Sequence, residues 1–409
     1  MTQEYKNTIT WMAERLPMYQ KLGKAAFNAG LDNINKLDKH LSHPHKHFNS
    51  IHIAGTNGKG STSHMLASIL QEAGYKVGLY TSPHLKDYRE RIRVNGELIS
   101  EDAVVQFIDI NREFLEQNTF SFFEMSVGMA FDYFAKNKVD IAIIETGLGG
   151  RLDSTNIITP LLSIITNIGM DHLGVLGNSL EAIAREKAGI IKRNTPVVIG
   201  EYTQETKPIF KDAAIKNEVK IHYVNHNKPL LYTLDLKGLY QEYNARTVIE
   251  AIGVLNSLKT TYSVSKKAIT NGLERVVANT GLMGRWQVLK EAPLTICDTA
   301  HNAHAILRVT EQIKEQKYDH LHIVIGMVSD KEADKVLELL PKKAIYYFCA
   351  PAIDRALDVK ELQSIALKYD LKGSTYRSTA EAYQAAIENS TDRDMIFIGG
   401  SNFVVAEIL

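Results

Sequence analysis

The sequence predicts an α/β protein: a P-loop-type, mostly parallel sheet in the N-terminal part, followed by a smaller Rossmann-like α/β domain. Two observations carry this. Short apolar runs alternate with longer helical patterns along most of the chain, as in parallel sheets covered on both faces. The alternation then restarts after residue 282, following a stretch rich in glycine and small polar residues.

The elements follow in order. Ser50–Ala54 (SIHIA) is predicted as a strand, Gly55–Ser61 as a glycine-rich loop, Thr62–Ala73 as a helix and Lys76–Tyr80 as the next strand. Asp140–Glu145 (DIAIIE) and Leu161–Thr166 (LLSIIT) have the continuous apolar character of buried parallel strands, and Val197–Ile199 adds another. In the C-terminal part the strands are Leu294–Cys297, His320–Ile325, Ala344–Phe348 and Met395–Ile398, with a helix over Ala303–Glu315. Ala278–Gly284 (ANTGLMG) is the expected linker, giving domains 1–282 and 283–409.

Composition narrows the function. The 409 residues are 44% apolar and 23% charged, the mixture of an ordinary globular protein with room for two or three domains. Basic and acidic residues balance at 47 each, which argues against a nucleic-acid or membrane-surface binder. Cys297 and Cys349, the only cysteines, form no CxxC pair or disulfide framework. The acidic N-terminus lacks an apolar signal core, and no apolar run is long enough to span a membrane. A reduced, cytoplasmic protein is expected. No exposed apolar helix or heptad asks for a partner, so a monomer is expected too.

The strongest local signal is Ala54-Gly55-Thr56-Asn57-Gly58-Lys59-Gly60-Ser61 between a strand and a helix. Glycines let successive backbone N–H groups turn toward phosphate oxygens at a helix N-terminus. Lys59 would neutralise β/γ-phosphate charge, and a following hydroxyl can reach Mg²⁺. The spacing departs from GxxxxGK[ST]: Ala54 stands four residues before Gly58, and Gly60 separates Lys59 from Ser61. Kinases, switches and ligases all use such loops, so the loop alone names no reaction.

Three further segments follow predicted strands, where open α/β sheets place ligands: Tyr80–Leu85 (YTSPHL), Ile144–Asp153 (IETGLGGRLD) and Thr166–His172 (TNIGMDH). Ser82 and Glu145 offer the hard oxygens that Mg²⁺ prefers. Taken alone, Glu145 could equally cap a helix or pair with Arg151, and His172 could be a structural histidine. The expectation that they act together rests on their lying at strand ends of one sheet.

These motifs, in this order, resemble the folylpolyglutamate synthase/dihydrofolate synthase family of Mur ligases. TNGKGS (56–61), TSPHL (81–85), GLGGRLDSTN (147–156), TNIGMDHLGVLG (166–177), EKAGI (186–190), Gly284-Arg285 and DTAHN (298–302) carry the resemblance from about Leu22 onward. It implies that Asn57, Gly58, Lys59, Gly60 and Ser61 bind ATP phosphates, and that Ser82, Glu145 and His172 hold Mg²⁺, with a place for a monovalent cation such as K⁺. Lys187 matches a lysine that such enzymes carry N-carboxylated; without the family it reads as an ordinary helix-surface lysine. Lys59, Glu145, His172 and Lys187 form the implied catalytic set, and Asn244, Arg285 and Asp298 the remaining ATP contacts. Asp298 and His301 open the first strand-to-helix turn of the C-terminal domain.

The resemblance brings a pterin substrate to Gly30, Leu31, Phe122, Phe123, Glu124, Leu152, Asp153 and Ser154. Aromatic rings beside a carboxylate suit a flat, hydrogen-bonding ligand, although Phe122 and Phe123 could simply be core. The implied reaction joins L-glutamate to dihydropteroate or a folate through an acyl phosphate made from ATP. Alternatives are a Mur ligase acting on a cell-wall precursor and a nucleotide-binding regulator without ligase chemistry. Three departures touch the motifs: DTAHN where DGAHN is usual, Tyr240-Gln241 where His-Gln is frequent, and a Gly399–Phe403 ending (GGSNF) in place of GS-x-Y.

Overall fold

A computed structural model describes residues 1–17, 30–329 and 332–409. Leu22, where the family resemblance begins, lies outside the described residues. The chain forms two compact units. The first comprises Met1–Gly169, Leu173–Asp235 and Gln241–Gly281; the second comprises Met170–His172, Leu236–Tyr240 and Leu282–Leu409. Among the described residues no helix is long and apolar enough to cross a membrane.

Among the described residues the first unit is built on eight strands: β1 (Asn49–Ala54), β2 (Val77–Tyr80), β3 (Ile92–Val94), β4 (Glu97–Leu98), β5 (Ile141–Glu145), β6 (Leu162–Ile165), β7 (Val197–Ile199) and β8 (Ile221–Tyr223). They lie in the order β4-β3-β2-β5-β1-β6-β7-β8, parallel from β2 to β8 and antiparallel at β3 and β4. Every residue of β2, β5, β6 and β7 is buried, which is why those runs are apolar without alternation. The hairpin between β3 and β4 turns on Asn95 (φ 50°) and Gly96 (φ 82°), a pair suited to two left-handed positions.

Register decides what stands beside the glycine loop. Ile53 of β1 pairs with Glu145 of β5, and Ala54 pairs with Ile165 of β6. The chain therefore leaves β1 into the loop with Glu145 on one side and Thr166 on the other. β2, ending just before Ser82, pairs with β5 one strand further out.

The helix Lys59–Glu72 follows the loop and is buried on all sides from Ser61 to Leu70. A helix without a polar face must be enclosed. It packs on β1, β2 and β5, and also against the helices Gln241–Ser257, Lys266–Glu274 and Val276–Thr280. Gly272 makes one of these approaches possible, because a Cβ there would stand 2.5 Å from Ile69 Cα. Ser68 Oγ donates to the Gly272 carbonyl at 2.7 Å in the same contact. We expect Gly272→Ala to cost about 1–3 kcal/mol by overpacking, read as a lower urea midpoint at unchanged slope.

The expected linker is partly helical. Ala278–Thr280 belong to the helix Val276–Thr280, which Gly281 ends in a left-handed conformation (φ 64°). Asn279 Nδ2 donates to Ser68 Oγ and Glu72 Oε1, both at 3.0 Å, so this segment is tied to the buried helix of the first unit.

Among the described residues the second unit carries six strands: β9 (Gln287–Glu291), β10 (Leu294–Cys297), β11 (Leu321–Ile325), β12 (Ile345–Phe348), β13 (Gly373–Thr375) and β14 (Met395–Gly399). Their order is β13-β12-β11-β14-β10-β9, with only β9 antiparallel to its neighbour. Successive side chains feed opposite cores. Ile296, Ile323, Ile325, Tyr346, Phe348 and Phe397 pack on one face; Cys297, Val324, Tyr347, Ile396 and Ile398 pack on the other. Both cysteines are free and buried.

Candidate active site

Gly58 starts the site. Its φ of 80° turns the chain from the strand into the helix, which begins at Lys59, three residues earlier than the periodicity suggested. Lys59, Gly60 and Ser61 thus occupy the first helical turn, where backbone N–H groups have no intrahelical acceptor and the helix dipole favours anions. The loop is braced from β6: Thr56 N–H donates to the Asn167 carbonyl at 3.0 Å, Asn57 N–H to Asn167 Oδ1 at 2.9 Å, and Thr166 Oγ1 to the Asn57 carbonyl at 2.6 Å. On the helix side, Gln241 Nε2 donates to Ser61 Oγ at 3.1 Å and Asn244 Nδ2 to Gln241 Oε1 at 2.8 Å. Thr56, Thr166, Asn167 and Gln241 are organising residues that the motif reading passed over.

Charge concentrates at one carbonyl. Lys59 Nζ donates to Gly55 O at 3.1 Å and to Thr56 O at 3.3 Å, while Lys187 Nζ donates to Gly55 O at 2.9 Å. Lys187 is 3% exposed, on the helix Leu180–Ala188. It is not the surface lysine that its local sequence suggests. Two ammonium groups on one carbonyl oxygen repel each other, and the arrangement favours added negative charge. Beside the loop, Glu145 is 3% exposed and accepts from the Ser82 N–H at 3.4 Å. Carboxylate and hydroxyl oxygen donors fit a hard divalent cation such as Mg²⁺.

Several residues expected at the pterin make local contacts within the first unit. Ser121 and Glu124 form a capping box on the helix Phe122–Lys136: Glu124 Oε2 accepts from Ser121 N–H at 2.6 Å, and Ser121 Oγ from Glu124 N–H at 3.1 Å. Phe122 is 5% exposed, edge-on to Tyr88 and beneath the Arg91 guanidinium. Phe123 is half-buried, its ring filling the space a side chain at Gly147 would need. Asp153 Oδ1 accepts from Thr155 N–H (3.0 Å) and Thr155 Oγ1 (2.5 Å), and Oδ2 from Leu148 N–H (2.8 Å). Burial pushes its carboxyl above the usual range. Glu124 and Asp153 thus organise their own loops. Gly30, Leu31 and Leu152 are half-buried and Ser154 is buried.

Behind Asp153 the hydrogen bonds continue inward. Thr155 Oγ1 gives its proton to Asp153 and so accepts from His52 Nε2 at 2.8 Å, on β1. His52 is fully buried and its Nδ1 has no hydrogen-bond partner. Burial, reinforced by the Lys192 charge, lowers its pKa to about 3. The unfolded imidazole takes a proton near pH 6.5, whereas the folded one stays neutral down to about pH 3. The group therefore removes stability as pH falls through that window, by about 1.4 kcal/mol per unit. Between pH 7 and 5, wild type should lose about 2 kcal/mol more unfolding free energy than His52→Gln, measured by urea denaturation.

His172 belongs to the second unit, together with Met170 and Asp171. Thr166–Gly169, which open the same segment after β6, group with the first unit. Asp171 organises the turn: Oδ1 accepts from His172 N–H at 2.8 Å, and Oδ2 accepts from Asn302 Nδ2 at 3.1 Å with His301 Nε2 at 3.4 Å. In the same unit Asp298 Oδ2 accepts from Tyr240 OH (2.5 Å) and Trp286 N–H (2.8 Å), and Oδ1 from Ala300 N–H (2.8 Å). Burial raises the Asp298 carboxyl, and the Tyr240 hydroxyl is raised well above its ordinary value by burial and by Asp298. Tyr240, the residue that departs from the frequent histidine, is thus fastened to the Asp298 turn. Arg285 is half-buried, and its Nη1 donates to the Gly284 carbonyl at 3.2 Å.

A first helical turn, two lysines at one loop carbonyl and a buried carboxylate one strand away make the first unit a mononucleotide-binding domain of the phosphate-loop class. The Mur ligase middle domain profile matches residues 53–289, and the Mur ligase, glutamate ligase domain profile matches residues 284–402. The chain is 31% identical to the dihydrofolate synthase/folylpolyglutamate synthase of Bacillus subtilis, over 100% of this chain and 99% of that one. It spans about half (48%) of a probable bifunctional folylpolyglutamate synthase/dihydropteroate synthase of Haloferax volcanii, at 32% identity over 92% of this chain. Among solved structures, Escherichia coli FolC in complex with DHPP and ADP superposes with a TM-score of 0.87 at 30% identity, covering 100% of this chain and 98% of that one. A bifunctional folylpolyglutamate synthase/dihydrofolate synthase with Mn, AMPPNP and L-glutamate bound gives 0.84 at 28% identity, covering 98% and 97%. The chain belongs to the folylpolyglutamate synthase/dihydrofolate synthase family of Mur ligases, and is an ATP-dependent ligase.

Proposed function

We propose that this protein uses ATP and a divalent metal to join L-glutamate to dihydropteroate, to the γ-carboxyl of tetrahydrofolate glutamates, or to both. The observation that carries this is the phosphate loop with Lys59 and Lys187 on Gly55 O beside Glu145. Carboxylates do not condense with amines in water unaided. In the proposed route the acceptor carboxylate takes the γ-phosphoryl group, giving an acyl phosphate and ADP. The glutamate amine then attacks the carbonyl carbon, and phosphate leaves as the amide forms.

The chain's own part is binding, orientation and charge balance. N–H groups of the first turn and the Lys59 ammonium hold the polyphosphate, Asn244 and Gln241 keep that turn in place, and Ser82 and Glu145 offer oxygens to the metal. The metal supplies charge neutralisation on the phosphates. Lys187, carried N-carboxylated, would exchange one of two crowded ammonium groups for an anion. For the second unit the same reading assigns His172 to metal and Arg285 and Asp298 to nucleotide. No covalent enzyme nucleophile is required. Cytoplasmic location and a monomeric state are part of the proposal.

Product masses test it. With ATP, Mg²⁺ and glutamate, each acceptor offered separately should gain one glutamate residue as ADP is released. Gain on dihydropteroate and tetrahydrofolate marks a bifunctional enzyme; gain on tetrahydrofolate alone marks tail extension. No gain on either, with ATP still bound, rejects the folate reading.

A further inference from the structure

A second cluster of ligating side chains stands at the entrance to β1, formed by Asp38, His43 and His45. The helix Asp32–His40 buries Ile34 and Leu37 and, in its last turn, Asp38 at 4% exposure. That is a poor place for a lone carboxylate, because burial removes its hydration and the C-terminal end of the helix dipole is negative. The chain then folds back on itself. Ser42 (φ 63°) and His43 (φ 58°) are both left-handed, and His43 N–H donates to the Asp38 carbonyl at 2.8 Å. Pro44–His47 form a short 3₁₀ turn that presents His45 beside His43.

The outcome is convergence on one carboxylate. His43 Nδ1 lies 2.6 Å from Asp38 Oδ2, and His45 Nδ1 lies 2.6 Å from Asp38 Oδ1. One ligand atom from each of the three residues falls within 4.8 Å of the others. His40 is not part of the set, since its ring stacks on Phe114 and its Nε2 meets Asn111 Oδ1 at 2.9 Å.

We propose that Asp38, His43 and His45 bind one borderline divalent cation of the zinc class. Two imidazole nitrogens with a carboxylate suit Zn²⁺, Co²⁺ or Ni²⁺ and are poorly matched to Mg²⁺, which takes oxygen. The cation neutralises the buried charge and replaces two short hydrogen bonds of 2.6 Å. With ligand bonds of about 2.0–2.2 Å, each nitrogen–oxygen pair opens as the ion enters between them. The His43 side chain is 44% exposed and the His45 side chain 15%, which gives the ion an approach and leaves an outer position for water. Bound there, it fastens the end of the helix Asp32–His40 to the start of β1, the strand that runs into the phosphate loop.

The test is Co²⁺ titration of the full chain in excess Mg²⁺, which holds the oxygen-rich site near Glu145. Visible absorption is followed, and Zn²⁺ is then added as competitor. The proposal expects saturation at one Co²⁺ per chain, displacement by Zn²⁺ and a Tm rise reversed by EDTA. His43→Asn, which tolerates the left-handed backbone, and His45→Gln should each weaken binding at least tenfold. His47→Asn, in the same run but outside the cluster, should leave it unchanged, and Mg²⁺-supported ligase turnover should survive in His43→Asn. Absence of a saturable signal, or one indifferent to both His43→Asn and His45→Gln, would overturn the site.

Discussion

Lys59→Met is expected to lower kcat on the order of 10²–10³-fold while leaving the protein folded, the usual cost of removing one charge-stabilising donor from a preorganised site. Among the described residues its ammonium meets the loop carbonyls Gly55 O and Thr56 O, so no buried carboxylate there loses its neutralising charge. The helix it begins is held by packing from Ser61 to Leu70. Steady-state rates together with urea unfolding separate the two effects. A collapse of turnover at an unfolding midpoint near wild type is the expected pair. A rate within a few-fold of wild type would remove Lys59 from the phosphate-transfer step.

The second large effect is at Gly58. A side chain there must accept a left-handed backbone (φ 80°), costing roughly 1–2 kcal/mol. Its Cβ would also collide with Asn244 Oδ1. Asn244 would have to leave Gln241, and Gln241 holds Ser61, so the first turn loses its brace. Gly58→Ala should therefore raise KM for ATP about tenfold or more, at about 1.4 kcal/mol per factor of ten. Isothermal titration with a non-hydrolysable ATP analogue checks this without turnover. Wild-type affinity would mean that the loop re-forms around alanine.

The two effects rest on features of unequal legibility. The glycines and Lys59 announced the loop because a tight turn after an apolar run has few sequence solutions. The central strands were readable for a similar reason: β5 and β6 are buried on both faces, leaving uninterrupted apolar runs. β8 and β9 are only partly buried and carry mixed residues, and β3 and β4 make a short edge hairpin, so none stood out. The Asn95-Gly96 pair was the available signal for that hairpin.

Site chemistry was harder to read wherever it depends on residues distant in sequence. Nothing local to Asn167 says that it accepts from Asn57, 110 positions away. Lys187 reads as a surface lysine until the fold buries it against Gly55. The grouping of Met170–His172 with the second unit has no local signature either. In contrast, the Ser121-x-x-Glu124 spacing is a readable capping box. It identifies a helix start more directly than a ligand contact.

The measurement closest to the central claim follows one oxygen atom. Tetrahydrofolate labelled with ¹⁸O in its reacting carboxylate would be turned over with ATP, Mg²⁺ and glutamate, and the released phosphate examined by mass. Acyl-phosphate chemistry predicts one ¹⁸O in each phosphate, delivered as the amine displaces it. Unlabelled phosphate alongside amide product would contradict the route, because the carboxylate oxygen would then have left some other way.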